Sequence, residues 1–457
     1  MVYNYILNGV RIVLKKYINS LKNKKVGFIG IGISNMPIIK IFADADVDIS
    51  IRDIKDISNG EFSEELKNLG VKIITGDTYL DDIYEDILFL SPGVKQFMPK
   101  LQEAKEKGVY LTTEMQEFLS LCPCKTVGVT GSDGKTTTTT LIAKLLELEG
   151  YTVHLGGNIG KNLFASLDNI KPDDYAIVEL SSFQLMKMQT SPNIAVITNL
   201  SPNHLDWHRD MDEYIEAKCN IFKYQAPGEK CIFNATNTIT KSIAETHKDA
   251  VFFGKGEGDF SIRPDGIYKG NELILADSDI LLRGAHNREN YAAAIAATYG
   301  LVSNETITKL AKSFGGVEHR IELVRIHKNI SYYNSSIDSS PSRTKAALES
   351  FDKKVIVIAG GYDKNIPLDP LGDLFCRKAK AVVLMGNTGP KIKAVLEKCG
   401  YTGEIAEVKD MENAVNAATK FAIAGDDIIL SPAAASFDLF KNFMERGNIY
   451  KKIVNEL

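Results

Sequence analysis

Thr126-Val127-Gly128-Val129-Thr130-Gly131-Ser132-Asp133-Gly134-Lys135-Thr136-Thr137 is the stretch from which the rest of the chain is read. Thr126–Val129 has the character of a short buried strand. A glycine-bearing turn follows, and residues from about Lys135 to Glu149 carry the pattern of a long helix. In a strand–turn–helix of this kind, consecutive backbone N–H groups form an anion-binding nest at the positive end of the helix dipole. Gly131, Ser132, Asp133, Gly134 and Thr137 line that nest. Lys135 is placed to neutralise the outer phosphates of a nucleotide, and the Thr136 hydroxyl to hold Mg²⁺. The strict phosphate-loop pattern has a glycine five residues before Gly134, where this chain has Val129. A turn that merely caps a helix explains the glycines but not Gly-Lys-Thr-Thr.

On either side, Val/Ile-rich runs alternate with helical patterns, as in parallel sheets with crossover helices. A first block opens with a strand at Lys25–Ile29, turns at Gly30-Ile31-Gly32, and includes a strand ending at Asp53 and the run Ile87–Leu90 before Ser91-Pro92-Gly93. The second block adds strands at Ala176–Glu179 and Ala195–Asn199, a hairpin-like section over 261–282, and helices near 287–299 and 306–313. A third has strands at Lys354–Ile358, Ala381–Met385 and Asp427–Leu430. The expected fold class is α/β with three domains. These are a Rossmann-like N-terminal domain (1–121), a central P-loop ATPase-type parallel sheet (122–316) and a Rossmann-like C-terminal domain (317–457). Gly315-Gly316 is the best boundary candidate. The length of 457 residues agrees, since about 150 residues per domain is the ordinary prior.

Apolar residues make up 44% and charged residues 25% of the chain, which excludes disordered and collagen-like classes. With 54 basic and 58 acidic residues the net charge is −4, so no global field favours nucleic acid or an anionic membrane. The six cysteines (122, 124, 219, 231, 376, 399) contain no C-x-x-C. This argues against a zinc ribbon and a disulfide framework and for reduced thiols in a cytoplasmic enzyme. The first twenty residues read as a short amphipathic helix rather than a signal peptide, and no run is long enough to span a membrane.

Other residues invite chemistry. Gly30-Ile31-Gly32, with Asp53 about twenty residues on, resembles a dinucleotide fingerprint in which Asn35 replaces the third glycine. NAD, another nucleotide-bearing ligand and plain turn geometry all fit. Glu179 ends one strand; His204 and Asp206 follow the next. Strand C-termini are where ligands collect in α/β sheets, so this rim can carry a second Mg²⁺. Lys218, in Glu216-Ala217-Lys218, reads by itself as a surface helix lysine. Trp207, the one tryptophan, is equally suited to stacking on a ligand and to packing.

Six stretches in order, TGSDGKTTT (130–138), VELSSFQL (178–185), TNLSPNHLDWH (198–208), GAHNRENYAAA (284–294), EHRIEL (318–323) and SPAAASFDLFKNFMERG (431–447), resemble the Mur ligases, and within them the D-glutamate-adding branch. The resemblance covers nearly everything beyond the first ~24 residues, which look like an added helix. It implies a UDP-binding domain, a central ATPase and an amino-acid-binding domain. The implied activity is ATP-dependent addition of D-glutamate to the carboxylate of UDP-N-acetylmuramoyl-L-alanine through an acyl phosphate, in peptidoglycan precursor synthesis. The protein would be a cytoplasmic monomer with ATP and two Mg²⁺ ions.

By the same resemblance, Lys135, Glu179, His204 and Lys218 form the catalytic set, with Thr136, Glu179, His204 and a carbamylated Lys218 as metal ligands. Asn287, Asn290 and Arg320 would join the loop in holding ATP. Gly32, Ser34, Asp53 and Gly93 would lie at the UDP moiety, and Asn158, Ser181 and Gln184 at the muramoyl part. Ser339, Lys364, Ser436, Phe437 and Phe443 would receive D-glutamate.

One loop departs from the branch's usual Asn-Asp-Ser-Lys-Ala-Thr-Asn: here it is Asn334-Ser335-Ser336-Ile337-Asp338-Ser339-Ser340. A hydroxyl survives at Ser339, and Asp338 is the candidate replacement for the missing acid. The rivals are a related amide ligase with another amino acid, a non-catalytic nucleotide binder, and an NAD-dependent oxidoreductase, which leaves Gly-Lys-Thr-Thr unexplained.

Overall fold

The computed structural model describes residues 13–457 apart from 33, 58–61, 160, 203–206, 246, 248, 283 and 365. The chain forms an α/β structure with three sheets, distributed over two compact units that divide between Lys312 and Ser313. The first unit holds two of them.

Its first sheet is all parallel, in the spatial order Lys72–Thr75, Asp48–Asp53, Lys25–Ile29, Ile87–Leu90, Tyr110–Thr112. Phe28 lies opposite both Ile51 and Phe89, so the centre of the sheet is apolar on both sides of the first strand. The order of connection reverses between Lys25–Ile29 and Ile87–Leu90. A crevice opens at the carboxyl ends of two such strands, and here it is bordered by Gly30-Ile31-Gly32 and by Ser91-Pro92-Gly93. The outer strands Lys72–Thr75 and Tyr110–Thr112 are short and only partly buried, which is why hydropathy alone does not reveal them.

The second sheet has nine strands: Glu272–Ala276, Gly266–Lys269, Phe260–Arg263, Ala250–Lys255, Lys230–Asn234, Ile194–Ile197, Lys125–Thr130, Tyr175–Glu179, Val153–Gly157. The hairpin-like section expected over 261–282 is an antiparallel extension of this sheet that ends at Ala276. Lys125–Thr130 is central, and Thr130 delivers the chain directly into the phosphate-loop turn and the helix Lys135–Glu149. That helix packs against Ala285–Thr298, whose residues 290–298 are all buried. A helix apolar around its whole circumference belongs in an interior.

The N-terminal helix Val13–Leu21 buries Leu14 and Leu21 in the core shared by the two sheets. Tyr17 meets Phe42 and Phe164 edge-on or tilted at 6.3 and 5.8 Å, and the Leu14 N–H donates to Asp168 Oδ1. This segment therefore knits the helix after the first strand to the 164–169 turn.

The second unit carries six strands: Glu322–His327, Ile330–Asn334, Asp427–Leu430, Val355–Ala359, Ala379–Leu384, Glu404–Glu407. Only the first pair is antiparallel. Val355, Val357 and Ala359 face one helical layer with Leu371 and Phe375, while Ile356 and Ile358 face the other with Val415 and Tyr450. Burial on both faces explains the unbroken apolar run of this strand. Among the described residues no helix is long and apolar enough to cross a membrane, and all six cysteines are free thiols.

Candidate active site

The phosphate loop is built by two backbone conformations that only glycine adopts easily. Gly131 has φ 150° and Gly134 φ 77°. A Cβ on Gly134 would lie 2.3 Å from Asn290 Oδ1, and one on Gly131 would overlap Thr198 Oγ1. The loop is then strapped to the neighbouring strand end. The Ser132 N–H donates to Asn199 O (2.8 Å), the Asp133 N–H to Asn199 Oδ1 (3.0 Å), and Thr198 Oγ1 to Asp133 O (2.6 Å). Ser132 Oγ reaches Ser201 O at 2.9 Å and the Tyr214 hydroxyl at 3.0 Å. Lys135 opens the helix and curls back, its Nζ donating to Gly131 O (2.9 Å) and Ser132 O (2.8 Å). A cation is thus held at the helix N-terminus, where the dipole also favours an anion.

Asn290 and Asn287 are drawn to this loop. Asn290 Oδ1 accepts from Thr138 Oγ1 at 3.2 Å, and Asn290 Nδ2 donates to Asn287 Oδ1 at 3.2 Å. Lys218 departs from its surface reading: it is 1% exposed. Its helix, Met211–Lys223, packs across the central strand, so Nζ donates to Thr130 Oγ1 (3.0 Å) and Gly131 O (2.9 Å). Burial, then the nearby Lys135, pushes its pKa well below the ordinary lysine value, with Glu179 acting in the opposite sense. Two amines therefore share the Gly131 carbonyl, one of them biased toward its neutral form.

Glu179 ends the adjacent strand, fully buried. Its Oε1 accepts from Asn158 Nδ2 at 2.7 Å, while Oε2 has no hydrogen-bond partner among the described residues. An orphaned buried carboxylate oxygen is costly unless something cationic meets it, so this oxygen fits a metal ion. Among the described residues no three His, Cys, Asp or Glu cluster tightly enough to hold a metal by themselves. A Mg²⁺ ion here would need the Thr136 hydroxyl and an additional ligand. His204 and Asp206 lie outside the described residues. Ser181 and Gln184 engage each other in a capping box at the start of Ser182–Leu185, so their side chains are fixed beside Glu179 by local chemistry. Trp207 packs edge-on against Phe183 at 4.6 Å.

In the first sheet, Gly30 has φ 78°, and a Cβ there would collide with Ser91 Oγ. The Asp53 carboxylate is occupied by the backbone N–H groups of Ile31 (3.1 Å) and Lys55 (2.9 Å); it holds the turn. Ser34 O accepts from Asn162 Nδ2 at 2.8 Å. Lys187 was not singled out from sequence. It is buried, and its Nζ donates to Ser91 O (2.7 Å) and Pro92 O (2.8 Å), bracing the loop that carries Gly93. Burial brings its pKa down to about 7. No residue type or spacing distinguishes it in the sequence.

In the second unit, Lys364 Nζ stands 5.8 Å from the ring centroid of the exposed Phe437, which Tyr362 meets edge-on. Ser436 is buried beside them in sequence, Ser339 is half-buried and Arg320 is exposed. Phe443 lies against His319 at 5.9 Å. Asp338 is buried, and Ser431 Oγ donates to it at 2.8 Å; burial raises its pKa to about 6.

Two family models match the chain: "Mur ligase middle domain" over residues 129–298 and "Mur ligase, glutamate ligase domain" over 319–434. A protein of Acetivibrio thermocellus named UDP-N-acetylmuramoylalanine--D-glutamate ligase is 46% identical, over 97% of this chain and 99% of its own length. One of the same name from Clostridium botulinum strain Alaska E43 is also 46% identical, with the same coverage. The solved UDP-N-acetylmuramate-alanine ligase of Thermotoga maritima shares the fold, with TM-score 0.54 at 19% identity, covering 95% of this chain and 100% of that one. With 97% of the chain matched by these relatives, fewer residues are left over than the 24 expected to be an addition. Part of the N-terminal segment is therefore common to them, in keeping with its packing into the core. Nearly full-length identity of this degree, together with both domain matches, means that the chain belongs to the Mur ligase family.

Proposed function

We propose that this Mur ligase adds D-glutamate to the L-alanine carboxylate of UDP-N-acetylmuramoyl-L-alanine at the expense of ATP, in peptidoglycan precursor synthesis. The supporting observation is 46% identity over 97% of the chain to proteins named for that reaction. In this reading residues 1–121 bind the UDP substrate, 122–316 bind ATP and 317–457 receive the amino acid. The enzyme acts as a cytoplasmic monomer.

A carboxylate is a poor electrophile, so ATP first phosphorylates it to an acyl phosphate, which the D-glutamate amine attacks with loss of phosphate. Two anions approach each other in the first step. The Lys135 ammonium and the loop amides reduce their repulsion and hold the phosphoryl group as charge moves. Asn287 and Asn290 fix the back of the loop, so its geometry precedes the ligand. Burial keeps the Lys218 amine toward the neutral form, which is the form that adds CO₂ to become a carbamate. Thr136, Glu179, His204 and that carbamate would hold two Mg²⁺ ions, which supply Lewis-acid neutralisation of the phosphates when bound. Gly32, Ser34, Asp53 and Gly93 border the UDP crevice, with Asn158, Ser181 and Gln184 toward the muramoyl group. Arg320 contacts ATP; Ser339, Lys364, Ser436, Phe437 and Phe443 receive D-glutamate.

Phosphate release from ATP, measured with UDP-N-acetylmuramoyl-L-alanine and a panel of amino acids, tests the reading. Release that depends on D-glutamate is expected. Equal release with a diamino acid, or none with any amino acid, would overturn it.

A further inference from the structure

Arg446 is one of the largest fully buried side chains among the described residues, at 1% exposure, on the first turn of the helix Phe443–Glu456. All its side-chain hydrogen bonds to described residues go to neutral oxygens. Nε donates to Ser336 Oγ (3.1 Å) and Nη2 to Ser336 O (2.9 Å), while Nη1 donates to Ala434 O (3.1 Å) and Ala435 O (3.0 Å). Burial depresses its pKa to about 10, still well above neutrality. A guanidinium placed so deeply without a carboxylate in hydrogen-bond contact is expensive, and its planar fork suits it to fixing several acceptors at once.

The acceptors belong to two loops, and a third is threaded against them. The Tyr362 N–H donates to Ala435 O at 2.9 Å, and Gly361 passes so close that a Cβ would lie 2.2 Å from Ala435 O and 3.1 Å from Arg446 Nη1. The 334–340 loop leads to Ser339, the 433–436 loop to Ser436 and the 360–364 loop to Lys364. The described chain has no cis peptide, so each C=O and the following N–H point in opposite directions. With the Ala435 carbonyl pinned to Arg446, the Ser436 N–H is aimed away from the guanidinium. Neither that N–H nor the Ser436 hydroxyl has a partner among the described residues. Two donors on one buried residue are thereby presented together.

We propose that Arg446 is a positioning residue for the incoming amino acid: by holding the Ala434 and Ala435 carbonyls it turns the Ser436 N–H and hydroxyl outward as a carboxylate-binding pair, in register with Ser339 and Lys364. The proposal rests on the ligase reading and specifies which group orders its amino-acid pocket. Lysine at this position keeps the charge but reaches only one of the three carbonyls, so the pair loses its aim.

The test is steady-state kinetics of Arg446→Lys and Ser336→Ala beside the unsubstituted enzyme, with thermal melts of each. The unsubstituted enzyme is first run against an amino-acid panel. Failure to use D-glutamate there overturns the function reading, and the Arg446 proposal is then read on whichever amino acid is used. Arg446→Lys is expected to raise KM for the amino acid by roughly tenfold or more, as for a lost charge-assisted hydrogen bond, with KM for ATP and for the UDP substrate within about threefold. Ser336→Ala, which removes the acceptor of Nε together with the bond from Ser336 Oγ to Phe443 O (2.7 Å) and keeps the guanidinium, should show a smaller rise with the same selectivity. If Arg446→Lys yields no folded protein, the split is read on Ser336→Ala alone. An unchanged amino-acid KM, or a parallel rise for all three substrates, would overturn the proposal.

Discussion

Replacing Lys135 with alanine separates the ligand-directed role of this residue from any structural one. The ammonium donates to two loop carbonyls, Gly131 O at 2.9 Å and Ser132 O at 2.8 Å, and Lys218 Nζ also reaches the first of these at 2.9 Å. Removing Lys135 loses the bonds to Gly131 O and Ser132 O but also relieves the like charge that lowers the Lys218 pKa. These effects oppose each other, and the net is expected near 1 kcal/mol, a melting shift of roughly 1–2 °C for a unit of this size. Catalysis has no such offset. Loss of one oriented donor to a developing anion costs about 2.7–4 kcal/mol, or roughly a hundred- to a thousandfold in kcat. The assay is ATP-dependent phosphate release with saturating UDP-N-acetylmuramoyl-L-alanine and D-glutamate, paired with a thermal melt. A fall in kcat of at least about a hundredfold with a nearly unchanged melt is expected. Turnover within about tenfold of the unsubstituted enzyme would show that the charge does not serve the phosphoryl group.

Three further outcomes follow from individual contacts. The Lys187 pKa is lowered to about 7 by burial, so between about pH 7 and 10.5 the unfolded chain binds the extra proton and stability rises with pH. Lys187→Met should flatten that rise in melts taken across the window; an unaltered slope would refute the assignment. Arg52 and Glu85 form a 2.8 Å pair with side chains 1% and 0% exposed. Arg52→Met strands a buried carboxylate and should cost about 3–5 kcal/mol in urea unfolding, whereas a loss under about 1 kcal/mol would argue against the pair. The Cys376 and Cys399 sulfurs are 3.1 Å apart, and Cys399 is exposed. A thiol oxidant should therefore link them, which peptide mass mapping would detect and Cys399→Ser would abolish; cross-linking confined to other cysteines would contradict the geometry.

The phosphate loop and the alternation of strands and helices were legible because both rest on short-range chemistry. Gly131 and Gly134 mark positive-φ positions, and Val355–Ala359 is apolar on both faces. Edge strands such as Lys72–Thr75 were not legible, since half-exposed strands carry no hydropathy signal. Ser181 and Gln184 stood out in the sequence by resemblance alone, and the structure shows that they cap each other. Lys187, in the turn after Ser182–Leu185, and Arg446, on the helix Phe443–Glu456, escaped notice: an isolated basic residue has no distinguishing pattern.

The amino-acid order alone determined the candidate phosphate loop, because strand, glycines, lysine and helix start are neighbours within a dozen residues. Only the folded chain decided what the distant cations do. Lys218 meets a carbonyl 87 positions away, Lys187 one 96 away and Arg446 one 110 away. Helical periodicity assigns Lys218 and Arg446 to a face and says nothing of Lys187 in its turn, but the acceptors all three find, and so their burial and charge state, exist only after separate segments have packed together.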